Sequence, residues 1–286
     1  MFGQRRLKII ASHIPYNYKT IRITQSRINK GLLAIPKSLE DSFPTQKTKV
    51  KVSTGIDNKF AFKNFTPYAS KSHECRIGGM QKFYKECGIK NGDEIVIQIL
   101  GDDEYRILLE KDFVATIQIL EKEFDDSKNE NDAIFNLKKV SDISGEEVEK
   151  IAFYEYCRLS LQPIKKRAYK VSANPKKKEN VKASLRQLLT LIYKGKCQLT
   201  GFSFKKRDRN PFFEIHHIKS GIGDHLKNLL VVSPNIHAQF TYANVRQIFD
   251  GDGWLRTVRF DKDEFNVNHI IDSLPIRFHK EVHFDS

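Results

Sequence analysis

The chain has 286 residues, 40% of them hydrophobic and 29% charged, and 49 Lys and Arg against 35 Asp and Glu give a formal net charge of +14. That length suggests two domains, each able to bury its own core, and the basic excess points to a polyanionic partner such as nucleic acid. No apolar run approaches the ~20 residues a bilayer span needs, and the one after the basic start MFGQRR is too short for a signal peptide. Four scattered cysteines without a C-x-x-C pair argue against a zinc ribbon or a disulfide framework and fit reduced thiols in a cytosolic protein.

From about residue 5 to 120 the pattern predicts β-structure. Short β-branched or apolar runs fall at 21–24, 32–35, 49–52, 60–62, 94–100 and 105–109, with turn signals at Asn91-Gly92-Asp93 and Gly101-Asp102-Asp103. Residues 77–87 place Met80, Phe83, Tyr84 and Cys87 at helical spacing, with Gly88 as the stop. The polar stretch EKEFDDSKNEND, 121–132, reads as a linker or the edge of one. Ser144-Gly145-Glu146-Glu147 reads as a capping box opening a helix that runs to about Leu161, before Pro163. A basic stretch at 165–178 fits a solvated tether or a segment lying along phosphates. A second helix at 181–193 carries Leu185, Leu188, Leu189 and Ile192 on one face. Cys197 reads as a small core residue.

The segment after it concentrates the chemistry. Residues 212–217 read as a strand ending in His216-His217, whose side chains point to opposite faces unless the strand end twists. A glycine-containing loop, KSGIGDH, follows. Asn228 sits where its amide can bond backbone across that loop, 229–232 is a short buried strand, and Ser233-Pro234 starts a helix holding His237 in its first turns. That order gathers three histidines toward one point, one imidazole to take a proton from water and others to hold a metal against a phosphate. His225 reads as surface polar, and Glu214 as solvent-facing or orienting a neighbour. Lys205, Lys206, Arg207 and Arg209 surround Asp208 in a basic loop fit for a solvated hairpin tip or for DNA backbone contact.

Residues 186–260 resemble the HNH (ββα-metal) endonucleases, especially their restriction-type branch. The resemblance rests on CQLTG at 197–201, EIHHI at 214–218, Asn228 and SPNIHAQF at 233–240. It implies His216 and His237 as metal ligands, His217 as general base, Asn228 as the catalytic-loop brace, and hydrolysis leaving 5′-phosphate and 3′-hydroxyl ends. The implied cofactor is a divalent ion, Mg²⁺ first, with Mn²⁺ or a softer ion open. Thr241 stands where the family often has a further His or Asp ligand, which favours an inactive remnant as the rival reading.

Residues from about 5 to 120 resemble the B3-type pseudobarrel of plant transcription factors and EcoRII-like effector domains, on pieces at 21–44 and 76–99. The carrying pieces are ITQSRINKGLLAIPKSLEDSFP and RIGGMQKFYKECGIKNGDEIVIQI. The resemblance implies two DNA-gripping loops. One holds Gln25, Ser26, Arg27, Asn29 and Lys30, and the other Lys63, Asn64, Tyr68, Lys71 and Ser72. These residue types suit base edges and phosphates.

The expected architecture is therefore α+β: a B3-like recognition domain at 1–122, a linker with a helix at 123–180, and an HNH domain at 181–286. The expected function is site-specific cleavage of double-stranded DNA of restriction type, by a homodimer on a symmetric site, in a bacterial or archaeal cytoplasm near the nucleoid, with a cognate DNA methyltransferase in the host and no membrane partner. A DNA-binding regulator with a dead nuclease, a nicking or homing-type enzyme, and an RNA-directed or nonspecific nuclease remain as alternatives.

Overall fold

The computed structural model describes residues 19–55, 59–68, 74–166 and 181–273. They fall into two compact units, one of 19–120 with 142–145 and the other of 121–141 with 146–273. No helix among the described residues is long and apolar enough to cross a membrane.

The first unit runs β1 (Lys19–Arg22), α1 (Gln25–Lys30), β2 (Leu32–Ile35), a 3-10 turn (Lys37–Ser42), β3 (Thr48–Ser53), β4 (Phe60–Thr66), β5 (Cys75–Gly78), α2 (Gln81–Glu86), β6 (Glu94–Gly101), β7 (Glu104–Leu109) and the start of α3 (Glu110–Asp125). Its seven strands form one sheet in the order β1-β6-β7-β3-β4-β5-β2. Every pair is antiparallel except β3 with β7. The chain-adjacent strands β1 and β2 end up as opposite edges, joined by α1, an order compatible with an open pseudobarrel. Alternation supplies the core: Val50, Val52, Phe65, Ile77, Ile95 and Ile107 are buried with Phe43, which stacks on Tyr105 at 4.3 Å between ring centroids. Polar atoms of buried aromatics find acceptors, Tyr105 Oη donating to Ser42 O (2.8 Å) and Tyr84 Oη to Leu32 O (2.9 Å).

Helix α4 (Glu130–Ser144) enters this unit only by its last turn. Its orphan carbonyls explain why. Arg106 donates to Asp142 O (2.9 Å) and Gln98 to Ile143 O (2.6 Å), so a buried cation and amide on β6 and β7 satisfy a helix C-terminus.

The second unit continues with α5 (Val148–Ser160), α6 (Ala183–Tyr193), β8 (Phe204–Lys205), β9 (Pro211–Phe212), β10 (Glu214–His217), β11 (Leu229–Val232), α7 (Pro234–Tyr242), β12 (Val245–Phe249), β13 (Leu255–Phe260) and β14 (Asp263–Asn266). Strands β8–β9 and β10–β11 are separate pairs, and β12–β13–β14 is a meander. Two apolar clusters hold them: one joins Cys197, Leu230, Val232, Ile236 and Val258, the other Tyr156, Leu185, Leu189, Val231 and Trp254. Gln198, buried within the CQLTG turn, ties three segments: its Oε1 accepts from Val231 N (2.8 Å) and its Nε2 donates to Asn268 O (3.0 Å).

Several local expectations are corrected. The polar stretch 121–132 is not a linker: it holds the end of α3, a short turn and the start of α4. Single apolar side chains do the packing there. Phe124 is fully buried, and Arg158 on α5 binds Asp125 (2.7 Å) and the buried Glu155 (2.5 Å). Ser144 does not open a helix but closes α4. Gly145 (φ 72°) turns the chain, and Glu147 is the N-cap of α5 without a side-chain cap bond. Residues 212–217 are not one strand, because the chain breaks at the buried Phe213 between β9 and β10. Ile77 belongs to β5, and the helix starts only at Gln81.

Candidate functional site

The β10–β11 hairpin and α7 build the site. Register is regular to its end, with Glu214 opposite Val232, His216 opposite Leu230 and His217 opposite Leu229. Alternation therefore sets Glu214 and His216 on one face and His217 on the other. Two of the three histidines expected to converge, His216 and His237, meet on the first face, while His217 leaves from the other, near enough for its charge to act on His216.

On the first face, Ser233 is the extended N-cap of α7, Pro234 occupies the first turn, and His237 sits one turn in. The His216 and His237 rings approach edge to face at 5.4 Å, and His216 also stacks on Phe240 at 3.9 Å. Burial, then the neighbouring His237 and His217, push the His216 imidazolium down to about 4, so this ring is neutral at physiological pH. His237 Nδ1 is hydrogen-bonded to Glu214 Oε2. A carboxylate only accepts, so Nδ1 carries a proton, and in the neutral ring Nε2 is the nitrogen with a free lone pair. That pattern, a carboxylate orienting an imidazole whose other nitrogen is open, is the usual second contact of a metal-binding histidine. Thr241 contributes nothing here, its hydroxyl donating back to His237 O (3.3 Å). Among the described residues no three His, Cys, Asp or Glu side chains form a metal-holding group.

On the other face His217 Nε2 lies 2.8 Å from Asp224 Oδ1. By the same reasoning Nε2 bears the proton and Nδ1 is the basic atom. Asp224 is fixed in turn, its Oδ2 accepting from Lys182 N (2.8 Å) at the start of α6.

Asn228 is buried behind the loop. Its Oδ1 accepts from Lys219 N (2.8 Å), and its Nδ2 lies within reach of Lys219 O (3.1 Å), Ile222 O (3.2 Å) and Gly223 O (3.3 Å). This clamp closes residues 219–228 into a compact loop that presents Asp224 to His217. His225, read as surface polar, is instead buried: Nε2 donates to Gln162 O (2.9 Å) and Nδ1 accepts from Lys227 N. Cys197 is buried in the core. Burial raises its thiol, but the Thr200 hydroxyl and the backbone N–H groups of Ser233, Thr200 and Leu199 bring it below the ordinary value.

Lys205, Lys206, Arg207 and Arg209 lie exposed on the β8–β9 hairpin, where Lys206 pairs with Asp208 (3.1 Å). The candidate reading loops of the first unit differ from expectation. Gln25, Ser26, Arg27, Asn29 and Lys30 form α1, a helix rather than a loop, stopped by Gly31 (φ 61°). Gln25 bonds Asn29 within it (2.8 Å), and the Arg27 guanidinium binds Glu74 (2.5 Å). Lys63 and Asn64 lie inside β4, paired opposite Val50 and Lys49, with Lys63 Nζ donating to Gly79 O (2.6 Å). Tyr68 packs against the core beside Lys37. Lys71 and Ser72 lie outside the described residues.

Sequence reasoning passed over Asp224 as a partner of His217 and Phe240 as the plate under His216. The signals were present: an acidic residue closing a glycine-rich loop, and an aromatic one turn after the helical histidine.

No family model matches the chain, and no curated protein matches it. Among solved structures the Arabidopsis FUS3-DNA complex matches with 14% identity and a TM-score of 0.27, over 32% of this chain and 92% of that one.

Proposed function

We propose that the chain is a metal-dependent, site-specific DNA endonuclease of restriction type. One observation carries it: on a hairpin followed directly by a helix, His216 and a carboxylate-oriented His237 meet on one face while the adjacent His217 is held by Asp224. The net charge of +14 suits a polyanionic substrate.

His216 and the Nε2 of His237 that Glu214 leaves open are the residues that would hold a divalent ion. When bound, the ion supplies charge stabilisation at the scissile phosphate. His217 takes a proton at Nδ1 from the attacking water while Asp224 fixes its tautomer. Since the two faces of β10 carry the two functions, the phosphate has to straddle the end of the strand at His217. Asn228 keeps the loop closed so that Asp224 stays in place. The first unit, whose strand order is compatible with an open pseudobarrel, recognises the duplex, and the hairpin cations meet the backbone. Each copy cuts one strand, so a double-strand break takes two copies on a two-fold site. A cognate methyltransferase protects the host.

The test is digestion of supercoiled plasmid by the purified protein with Mg²⁺, beside EDTA and His217→Ala controls. Discrete linear fragments lost in both controls are expected. Nicked circles alone turn the reading to a one-strand enzyme, a smear to a nonspecific one. Intact DNA on both unmodified and methylated plasmid supports the second reading, a DNA-binding regulator with an inactive remnant. Thr241, bonded to its own helix in the place of a third ligand, favours that rival.

A further inference from the structure

Away from the histidine site, the second unit has a cleft of about 580 Å³ lined by Thr190 of α6 and its C-cap Lys194, Phe204 and Lys205 of β8, Arg209 and Pro211 at the hairpin end, and also Glu149 and Ser203. Its walls are fixed. Lys194 (φ 51°) and Gly195 (φ 75°) end α6 in left-handed turns, and a Cβ on Gly195 would lie 2.5 Å from Pro211 Cβ, so helix and hairpin touch at a glycine. The hairpin tip is also set, by Arg209 N donating to Lys206 O (2.9 Å), Lys206 N to Asn210 O (2.8 Å) and Asn210 N to Asp208 Oδ1 (3.0 Å).

Two features of this cleft point to the same ligand. Phe204 is 44% exposed and Phe202 beside it 56% exposed, ring centroids 6.0 Å apart, while Phe212 backs Phe204 at 5.1 Å. Around them Lys194, Lys205 and Arg209 make no ion pair among the described residues, and the exposed Arg207 extends the row of cations beyond the cleft. Solvent-facing aromatic rings interleaved with cations are what a strand of unpaired bases needs, π-faces for the bases and charge for the phosphates. A matched duplex uses the cations but keeps its bases stacked within itself. Glu149 opposes a phosphate on its side of the cleft and suits an exocyclic amino group of a base instead.

We propose that this cleft takes an unpaired nucleotide of a nucleic-acid chain, its base stacked on Phe204 and its phosphates on Lys194, Lys205 and Arg209. The proposal rests on DNA as the substrate class, and it gives the protein a preference for locally opened DNA over matched duplex.

The test is fluorescence anisotropy of the full chain in EDTA, so that binding is read without cleavage. The probes are a matched duplex of about 25 base pairs, the same duplex with a bulge of about three nucleotides, and a single strand of about 20 nucleotides. The wild type should bind the bulged probe about tenfold more tightly than the matched one. Phe204→Ala should remove most of that difference with matched-duplex affinity within about twofold and an unchanged circular dichroism spectrum, and Phe204→Tyr should keep it. Equal affinity for bulged and matched probes, or equal loss of both in Phe204→Ala, overturns the proposal. Displacement of the bulge by AMP at equal concentration overturns it in favour of a mononucleotide site. Absence of binding to every probe removes DNA as the substrate and this proposal with it. A plasmid that stays uncut while the bulge preference holds counts against the nuclease alone.

Discussion

Glu214 and Asp224 do comparable work on opposite faces of β10, each fixing which nitrogen of a histidine is open. Glu214→Gln keeps the size of the side chain but replaces a charged acceptor of the His237 N–H with a neutral one that can also donate. The expected result is a 10- to 100-fold loss of metal affinity or cleavage, the usual cost of removing such a partner, with duplex binding unchanged. Isothermal titration with Mn²⁺ and single-turnover cleavage read the two separately; wild-type values in both would detach Glu214 from the site. Asn228 stands in a different position, because its amide is buried and its loss would leave Lys219 N and several carbonyls without a partner. Asn228→Ala should cost about 2–3 kcal/mol of stability in urea denaturation, beyond its effect on cleavage. A loss under about 0.5 kcal/mol would mean that the loop closes without it. At this scale the sequence was readable where side chain and backbone were local to one another, as with Asn228 and the Ser233-Pro234 helix start. It was unreadable where a partner had to be chosen among many, as with Arg27, whose guanidinium goes to Glu74, 47 residues away.

Elements were legible where an alternating pattern met a single buried face. The strand run 32–35 matches β2, and the six strands read in the first unit all correspond to observed ones, while β5 was masked by the helical spacing of Met80, Phe83 and Tyr84 that follows it. Helix α1 escaped because QSRINK has no apolar stripe: Ile28 alone packs on the core, and Gly31 sets its end. The stretch 121–132 escaped for a similar reason, its polarity hiding the buried side chains of Phe124 and Glu121. The junction of α6 with the β8–β9 hairpin offers a sharp test of element packing. Gly195→Ala places a side chain at a φ of 75° and 2.5 Å from Pro211 Cβ, so both backbone strain and a clash oppose it. Gly88, also at positive φ (59°) but with nothing within 4 Å, isolates the backbone contribution alone. Gly88→Ala should cost about 1 kcal/mol, and Gly195→Ala about 2–3 kcal/mol. Equal losses would show that hairpin and helix are not in contact there.

For the molecule as a whole, the division into two units was foreshadowed by length and by the change from strand-rich to helix-rich sequence. The exchange of 142–145 into the first unit was not, because it depends on Arg106 and Gln98 finding the carbonyls at the end of α4. The second unit carries a pH dependence that follows from its buried imidazoles. Burial lowers His216, to about 4, and also His225 and His269, against an ordinary value of 6.5. In the unfolded chain these rings take up protons near their ordinary value, while the folded protein resists them until lower pH. The unfolded state then binds more protons, so stability is full above about pH 6.5 and falls as the pH drops toward 4. His216 is only partly buried, so solvent screens the effect, and its share is about 1–2 kcal/mol rather than the ~3 that the full shift would give. Calorimetric melting in EDTA between about pH 7.5 and 5 should show the melting temperature dropping steadily with acid. His216→Phe, which keeps a ring against Phe240 and removes the titrating group, should flatten that slope. A melting temperature constant across the range would mean that these rings are hydrated in solution and take up protons near their ordinary value in the folded protein too.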